Sequence, residues 1–247
     1  MQNYTQDYLL NKRIKIFQPV DGYRASTDAI MLSALVSGVK KGEKILDVGS
    51  GTGAISLCLA ERFKTLSPQI TGIELQPELA ELSNLSAREN GFDTFLNYIN
   101  TDIKNKVPLE NCSFHRVITN PPYTEHDMPS PNPGKALAHN HNGQTLGEWI
   151  KFCIKMLRPQ GTFYMINRAE AVDYILSEIR GKAGNIRIIP LYSKAGQNAK
   201  RVMIIAQKDS KAPTQILPGL TVHAVDGEYT PEAYAILREG KGLFELS

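Results

Sequence analysis

From residue 44 onward, apolar strand-like runs alternate with helix-like patterns, and this alternation limits the chain to few folds. "KILDVGS" reads as a strand, and a helix follows from Ala54 to about Lys64. "QITGIEL" is the next strand, and Pro77 opens a helix reaching Glu89, since proline suits a first helical position. "FLNYINTD", "FHRVITN" and "GTFYMIN" are three further strands. A helix near Leu146 to Leu157, closed by the "RPQG" turn, precedes the last of them. A helix from Glu170 to Arg180 and strands near "IRIIPLY" and "RVMIIAQ" complete the series. Strands alternating with helices indicate a mostly parallel sheet covered on both faces. The last two strands are joined by a short loop, which predicts a hairpin and so an antiparallel strand near the sheet edge. Asp226-Gly227 reads as a tight turn, followed by a short helix from Pro231 to Arg238.

With 247 residues, 42% hydrophobic and 21% charged, one large domain with a full core is expected. The opening "MQNYTQDYLL" has no basic-then-apolar leader pattern, and no apolar run is long enough to span a membrane. Cys58, Cys112 and Cys153 lie far apart and match no metal-ligand spacing. These features predict a reduced, cytoplasmic setting with no metal and no membrane. The net charge of +3 hides an asymmetry. From Arg187 to Lys211 six cations face one acid, a local net of +5 that leaves the rest of the chain at −2. Such a segment can hold an anionic polymer on one face.

"LDVGSGTGAIS" places Gly49, Gly51 and Gly53 between a strand and a helix, where glycines permit a tight turn and a close backbone approach to a ligand. The next strand leaves Glu74 at its carboxyl end, positioned to accept both hydroxyls of a ribose. A nucleoside-containing cofactor follows. "GSGTGA" also satisfies the relaxed dinucleotide pattern, so the turn alone does not choose between cofactors. Three neighbours favour S-adenosylmethionine: Asp47 before the glycines, Asp102 after the third strand as an acceptor for an adenine amine, and "NPPY" after the fourth.

The prolines of Asn120-Pro121-Pro122-Tyr123 hold the backbone extended where ligands bind in open α/β sheets. A planar amine such as adenine N6 is a poor nucleophile because its lone pair is delocalised. An asparagine oxygen and a proline carbonyl, each accepting one N–H, would favour a pyramidal nitrogen and aim its lone pair. Tyr123 supplies a face for the base to stack on.

"DVGSGTG", "GIEL", "TD" and "NPPY" in this order resemble a class I S-adenosylmethionine-dependent methyltransferase of the amino-methylating group. "FQPVDGYRASTDAIMLSALV" upstream, with "RVMIIAQKDSKAP" and "LPGLTVHAVDGEYTPEA" downstream, resembles the bacterial tRNA1(Val) adenine-37 N6-methyltransferase family. The resemblance runs from about Asn11 to Gly240. It implies a Rossmann-like, doubly wound, seven-stranded sheet and N6-methylation of an adenine in the tRNA anticodon loop, with S-adenosylhomocysteine as the second product. It assigns Asp47, Gly49, Gly51, Gly53, Glu74 and Asp102 to the cofactor, with Arg24, Thr27 and Asp28 covering its methionine end. Asn120, Pro121 and Tyr123 fall to the target base. The chain then divides into a cofactor-covering extension (1–40), a Rossmann-like core (41–211) and a C-terminal hairpin and short helix (212–247). One departure is "EHDMPSPNPGKALAHNHNGQTL", proline- and histidine-rich where the family carries an acidic residue soon after "AH".

The expected partner is tRNA or another structured RNA, held by Lys194, Lys200 and Arg201 with support from Lys12, Arg13 and Lys15; monomer and homodimer stay open. Protein glutamine N5-methylation poses the same problem of an unreactive amide nitrogen and is the alternative, as is another RNA or DNA adenine. A non-catalytic RNA-binding or cofactor-sensing protein and a nicotinamide-dependent reductase are the remaining candidates, the former opposed by the intact "NPPY". The "HNHN" at 139 to 142 lacks the frame of a metal-dependent nuclease. Cys58, Trp149 and Phe152 read as core.

Overall fold

The computed structural model describes residues 3–122 and 145–246. The chain opens with a feature absent from the sequence expectations, an antiparallel hairpin of β1 (Tyr4–Leu9) and β2 (Ile14–Pro19). Leu10, Asn11 and Lys12 turn it with positive φ angles of 48°, 51° and 66°. The hairpin forms its own two-stranded sheet. Further along lie α1 (Thr27–Ala34), β3 (Lys44–Val48), α2 (Ala54–Phe63), β4 (Gln69–Glu74), α3 (Pro77–Glu89), β5 (Leu96–Asn100) and β6 (Phe114–Thr119). The second half carries α4 (Leu146–Met156), β7 (Leu157–Arg168), α5 (Val172–Ile179), β8 (Ala183–Lys194) and β9 (Arg201–Lys208). Two short strands, β10 (Gln215–Ile216) and β11 (Leu220–His223), and α6 (Pro231–Leu237) close the chain.

The main sheet runs β8-β9-β7-β6-β3-β4-β5 across seven strands, and β10 and β11 both add to the free edge of β8, making nine among the described residues. β9 is antiparallel to both neighbours; every other pairing in this sheet is parallel. The antiparallel strand thus sits one place in from the seven-strand edge, as the short loop before it predicted. β10 and β11 were not legible, because two to four residues are too short for a period of two to show. The "RPQG" turn lies inside β7: Phe114 pairs with Leu157 but Arg116 with Thr162, so four residues bulge from the ladder.

Successive residues of the central strands face opposite layers. Ile45 packs with Leu32, Leu57, Leu59 and Ile70 under α1, α2 and α3, whereas Leu46 and Val48 join Ile150, Phe163 and Met165 under α4 and α5. β3 is buried over four of its five residues, the near-continuous apolar run required of a strand covered on both faces. β2 docks on α3, where Lys15 N donates to Asn90 Oδ1 at 2.9 Å and Phe17 N to Ser86 Oγ at 3.0 Å. This docking leads the chain from Val20 back over the carboxyl end of the sheet before α1 begins.

Candidate active site

The strand order places the carboxyl ends of β6, β3, β4 and β5 side by side. Asn120 and Pro121, the glycine turn, Glu74 and Asp102 therefore lie at one end of the sheet, where open α/β sheets form their ligand crevice, although they are widely spread in sequence. Gly49, Gly51 and Gly53 have φ of 71°, 56° and 83°, a region that penalises any Cβ. Space gives a second reason. A Cβ at Gly49 would stand 2.6 Å from Trp149 Cζ2, at Gly51 2.4 Å from Tyr23 Cε1, and at Gly53 2.5 Å from the Tyr98 hydroxyl. Three aromatic side chains thus shape the turn.

Hydrogen bonds fix the turn from both neighbouring elements. Gly49 N and Ser50 N donate to Ile73 O at 2.9 and 3.0 Å, and Gly51 N donates to Glu74 Oε2 at 2.8 Å. Ser83 Oγ donates to Gly51 O, and the Tyr98 hydroxyl to Gly53 O. Glu74 Oε1 accepts from Gln76 N at 2.9 Å. Each carboxylate oxygen of Glu74 thus takes one backbone N–H and keeps further lone-pair capacity for hydroxyl donors. Asp102 Oδ1 accepts from Lys104 N at 2.9 Å, a short turn that holds the carboxylate beyond β5.

Asp47 is fully buried near the end of β3. Its Oδ2 accepts from Ser56 Oγ at 2.6 Å, and Oδ1 has no partner. Burial, reinforced by nearby Glu74, pushes its carboxyl up to about 7 against the opposing help of Ser56. Among the described residues, four buried side-chain polar atoms lack a partner, and three of them belong to this turn: Asp47 Oδ1, Ser50 Oγ and Thr52 Oγ1. Unpaired buried polar groups are costly, so their concentration here fits a ligand that brings donors and acceptors.

Beside the turn, Thr119 Oγ1 donates to Val48 O at 2.8 Å and accepts from Trp149 Nε1 at 2.7 Å. This chain of bonds ties the end of β6 to β3 and α4, and it sets the position of Asn120. Helix α4 is itself held at its start by a capping box between Thr145 and Glu148. Trp149 reads only as core in the sequence; its indole N–H and its contact with Gly49 make it part of the frame. Sequence reasoning missed Thr119, Tyr98 and Tyr23 altogether. The one available signal was Tyr23, adjacent to the motif that singled out Arg24. Tyr123, the rest of the segment 123–144 and its histidines at 139 and 141 lie outside the described residues.

Arg24 directs its guanidinium at the hairpin, with Nη2 2.6 Å from Asp7 Oδ2 and Nη1 on Thr5 Oγ1 and Pro19 O. Thr27 begins α1, and Asp28 in its first turn pairs with Arg201 at 3.1 Å. Lys194, Lys200 and Arg201 all lie at the carboxyl end of the sheet, the end that carries the crevice. The rest of the basic segment does not join them. Lys208 sits at the opposite end with Nζ 2.6 Å from Leu157 O, and Arg187 lies mid-strand with its guanidinium over the Phe244 ring. Lys15 pairs with Glu89 at the far end of α3, and Arg13 bonds Glu239 O, so neither cation faces the crevice. A run of charge in sequence is divided when alternate strands carry it to opposite ends.

A family model described as "Methyltransferase small domain" matches residues 25–183. The chain belongs to the methyltransferase small domain family. The methyltransferase is 25% identical over 226 residues to a tRNA1(Val) (adenine(37)-N6)-methyltransferase of Pedobacter heparinus, covering 92% of this chain and 94% of that one. A protein of the same name from Haemophilus influenzae is 26% identical over 219 residues, covering 89% and 91%. Among solved structures, a predicted O-methyltransferase from Agrobacterium tumefaciens superposes with a TM-score of 0.71 at 23% identity, over 87% of this chain and 97% of that one. A Listeria monocytogenes protein described as a class I S-adenosylmethionine-dependent methyltransferase gives 0.57 at 17% identity, over 84% and 65%. These likenesses establish the Rossmann-like fold. S-adenosylmethionine is the cofactor of the methyltransferase. The unpaired atoms of the glycine turn and the open lone pairs of Glu74 are the groups suited to hold it. No helix among the described residues is long and apolar enough to cross a membrane, and no cluster of metal-ligating side chains occurs among them.

Proposed function

We propose that this methyltransferase methylates the N6 amine of an adenine in RNA, with adenine 37 of a tRNA as the favoured target. The observation that carries the reading is the position of Asn120-Pro121. They follow β6 directly, next to the glycine turn of β3, and the Thr119 bonds to Val48 and Trp149 hold them there. The names of the relatives point to the same substrate.

S-adenosylmethionine supplies an electrophilic methyl group on a sulfonium. The residues of the chain do the rest. Glu74 accepts the ribose hydroxyls, and Asp102 an adenine amine. Asp47, Ser50 and Thr52 offer polar atoms that have no partner in the protein. Asn120 Oδ1 and the Pro121 carbonyl accept the two N–H bonds of the target amine, which turns its lone pair outward and fixes its direction. Tyr123 provides the stacking face. The crevice itself carries carboxylates, so the phosphates of the RNA need another surface. Lys194 and Lys200, at the same end of the sheet, supply it.

The experiment is methyl incorporation from labelled cofactor into separated tRNA, rRNA and protein fractions, followed by nucleoside analysis of the labelled pool. Label in N6-methyladenosine from tRNA is the expected result. Label in protein glutamine would move the activity to the alternative class, and label in rRNA would change the target.

A further inference from the structure

The segment from Val20 to Asp28 caps the cofactor crevice. Inside it stands Tyr23, whose ring edge rests on Gly51, 2.4 Å from where a Cβ would be placed. Burial of its hydroxyl, reinforced by the carboxylates of Asp47, Glu74 and Asp28, pushes the phenol up to about 12. The residue as a whole is nevertheless 45% exposed. An aromatic ring that rests on the glycine turn with nearly half its area open is not a packed core residue. It is a wall of the crevice mouth.

The cap is clamped on two sides. Toward the hairpin, Arg24 pairs with Asp7, and Ala25 N donates to Gln18 Oε1 at 2.7 Å. Toward the sheet, Asp28 accepts from Arg201 Nε at 3.1 Å across 173 residues of sequence. The Arg201 and Asp28 side chains are only 31% and 17% exposed, so this pair is shielded more than an ordinary surface pair. Arg201 begins β9 opposite Arg168 of β7, which makes it a fixed post at the carboxyl edge.

We infer that Tyr23 contacts the cofactor as the inner face of the cap, and that Arg201 is a positioning residue holding the cap through Asp28 instead of a phosphate-binding side chain. The inference takes the cofactor as given and does not depend on the methyl acceptor; only the RNA arm of its test rests on the RNA reading.

The test is calorimetric binding of S-adenosylmethionine and S-adenosylhomocysteine to the full chain. Tyr23→Ala binds both about tenfold more weakly, whereas Tyr23→Phe, which keeps the ring, stays within about twofold. Arg201→Ala and Asp28→Asn each weaken cofactor binding about three- to tenfold, and the double variant is no worse than either single one, because both remove the same interaction. Arg201→Lys restores part of the loss, which separates positioning from general damage, and thermal unfolding of each variant confirms the fold. In the RNA arm, Arg201→Ala leaves the salt dependence of affinity unchanged. Unaltered or tighter cofactor binding by Tyr23→Ala overturns the contact and makes the ring an obstruction. Normal cofactor affinity in Arg201→Ala, with a salt slope flatter by about 0.7 to 0.9, returns Arg201 to the phosphate surface. If wild-type protein binds no RNA, the cofactor arm still decides the inference.

Discussion

Asp47→Asn tests whether the glycine turn holds a carboxylate poised for a ligand. In the folded protein burial pushes this carboxyl from 3.8 to about 7. A carboxyl raised in this way keeps its proton more tightly when folded than when unfolded. Its contribution to stability is complete below about pH 4 and is lost as pH rises through about 7. At 1.36 kcal/mol per tenfold change, the ionised folded state costs about 4 kcal/mol relative to an ordinary carboxyl, and about 2 to 3 kcal/mol of this falls between about pH 5 and pH 8. Asparagine cannot ionise, yet its oxygen can still accept from Ser56 Oγ. Denaturant unfolding of both proteins across that range supplies the measurement. The wild type should lose about 2 to 3 kcal/mol relative to the variant on going to the higher pH, with other titrating groups cancelling in the difference. Cofactor affinity should also rise with pH in the wild type as the anion forms beside the cationic ligand, and stay flat in the variant. Parallel pH profiles for the two proteins would refute the reasoning, since Asp47 would then titrate normally and its environment would not be dry.

Glu74→Ala removes the proposed ribose acceptor and deprives Gly51 N and Gln76 N of their carboxylate partner; calorimetry should show binding of the cofactor weaker by about 1 to 3 kcal/mol. Asn120→Ala should lower turnover about a hundredfold while cofactor affinity holds, the scale for losing one preorganised group, and equal losses in both would point to a damaged fold. Tyr123→Phe should keep more activity than Tyr123→Ala in single-turnover assays, because the stacking face survives. Lys194→Ala and Lys200→Ala should each weaken RNA binding and flatten its log-log salt dependence by about 0.7 to 0.9, with no change in cofactor affinity.

Much of the fold was legible from residue 44 to 208 because its signals are local. Glycines that must take positive φ, a proline at the first position of α3 and apolar runs of five or six residues all act on the backbone that carries them. Since a parallel sheet places the carboxyl ends of its strands together, the placement of Asp47, Glu74, Asp102 and Asn120 at one end of the sheet was legible in the sequence. Other features depend on distant partners. The β1-β2 hairpin carries no tight two-residue turn and owes its position to Ser86 of α3 and to Asn90, which caps the end of that helix. Trp149 lies on an apolar helix face like any core residue; only the approach of α4 to β3 puts its ring against Gly49 and its N–H on Thr119. The basic segment shows the division most plainly. Sequence alone determined that positive charge gathers between Arg187 and Lys211. The reversal of direction between β8 and β9 decided which of those charges reach the crevice, because the hairpin carries the middle of the segment, Lys194 to Arg201, to the carboxyl end of the sheet and brings Lys208 back to the other end. Among those that arrive, contact with Asp28 on α1 distinguished Arg201 from Lys194 and Lys200. Periodicity selects the face of an element that is buried, and packing selects the partner it meets.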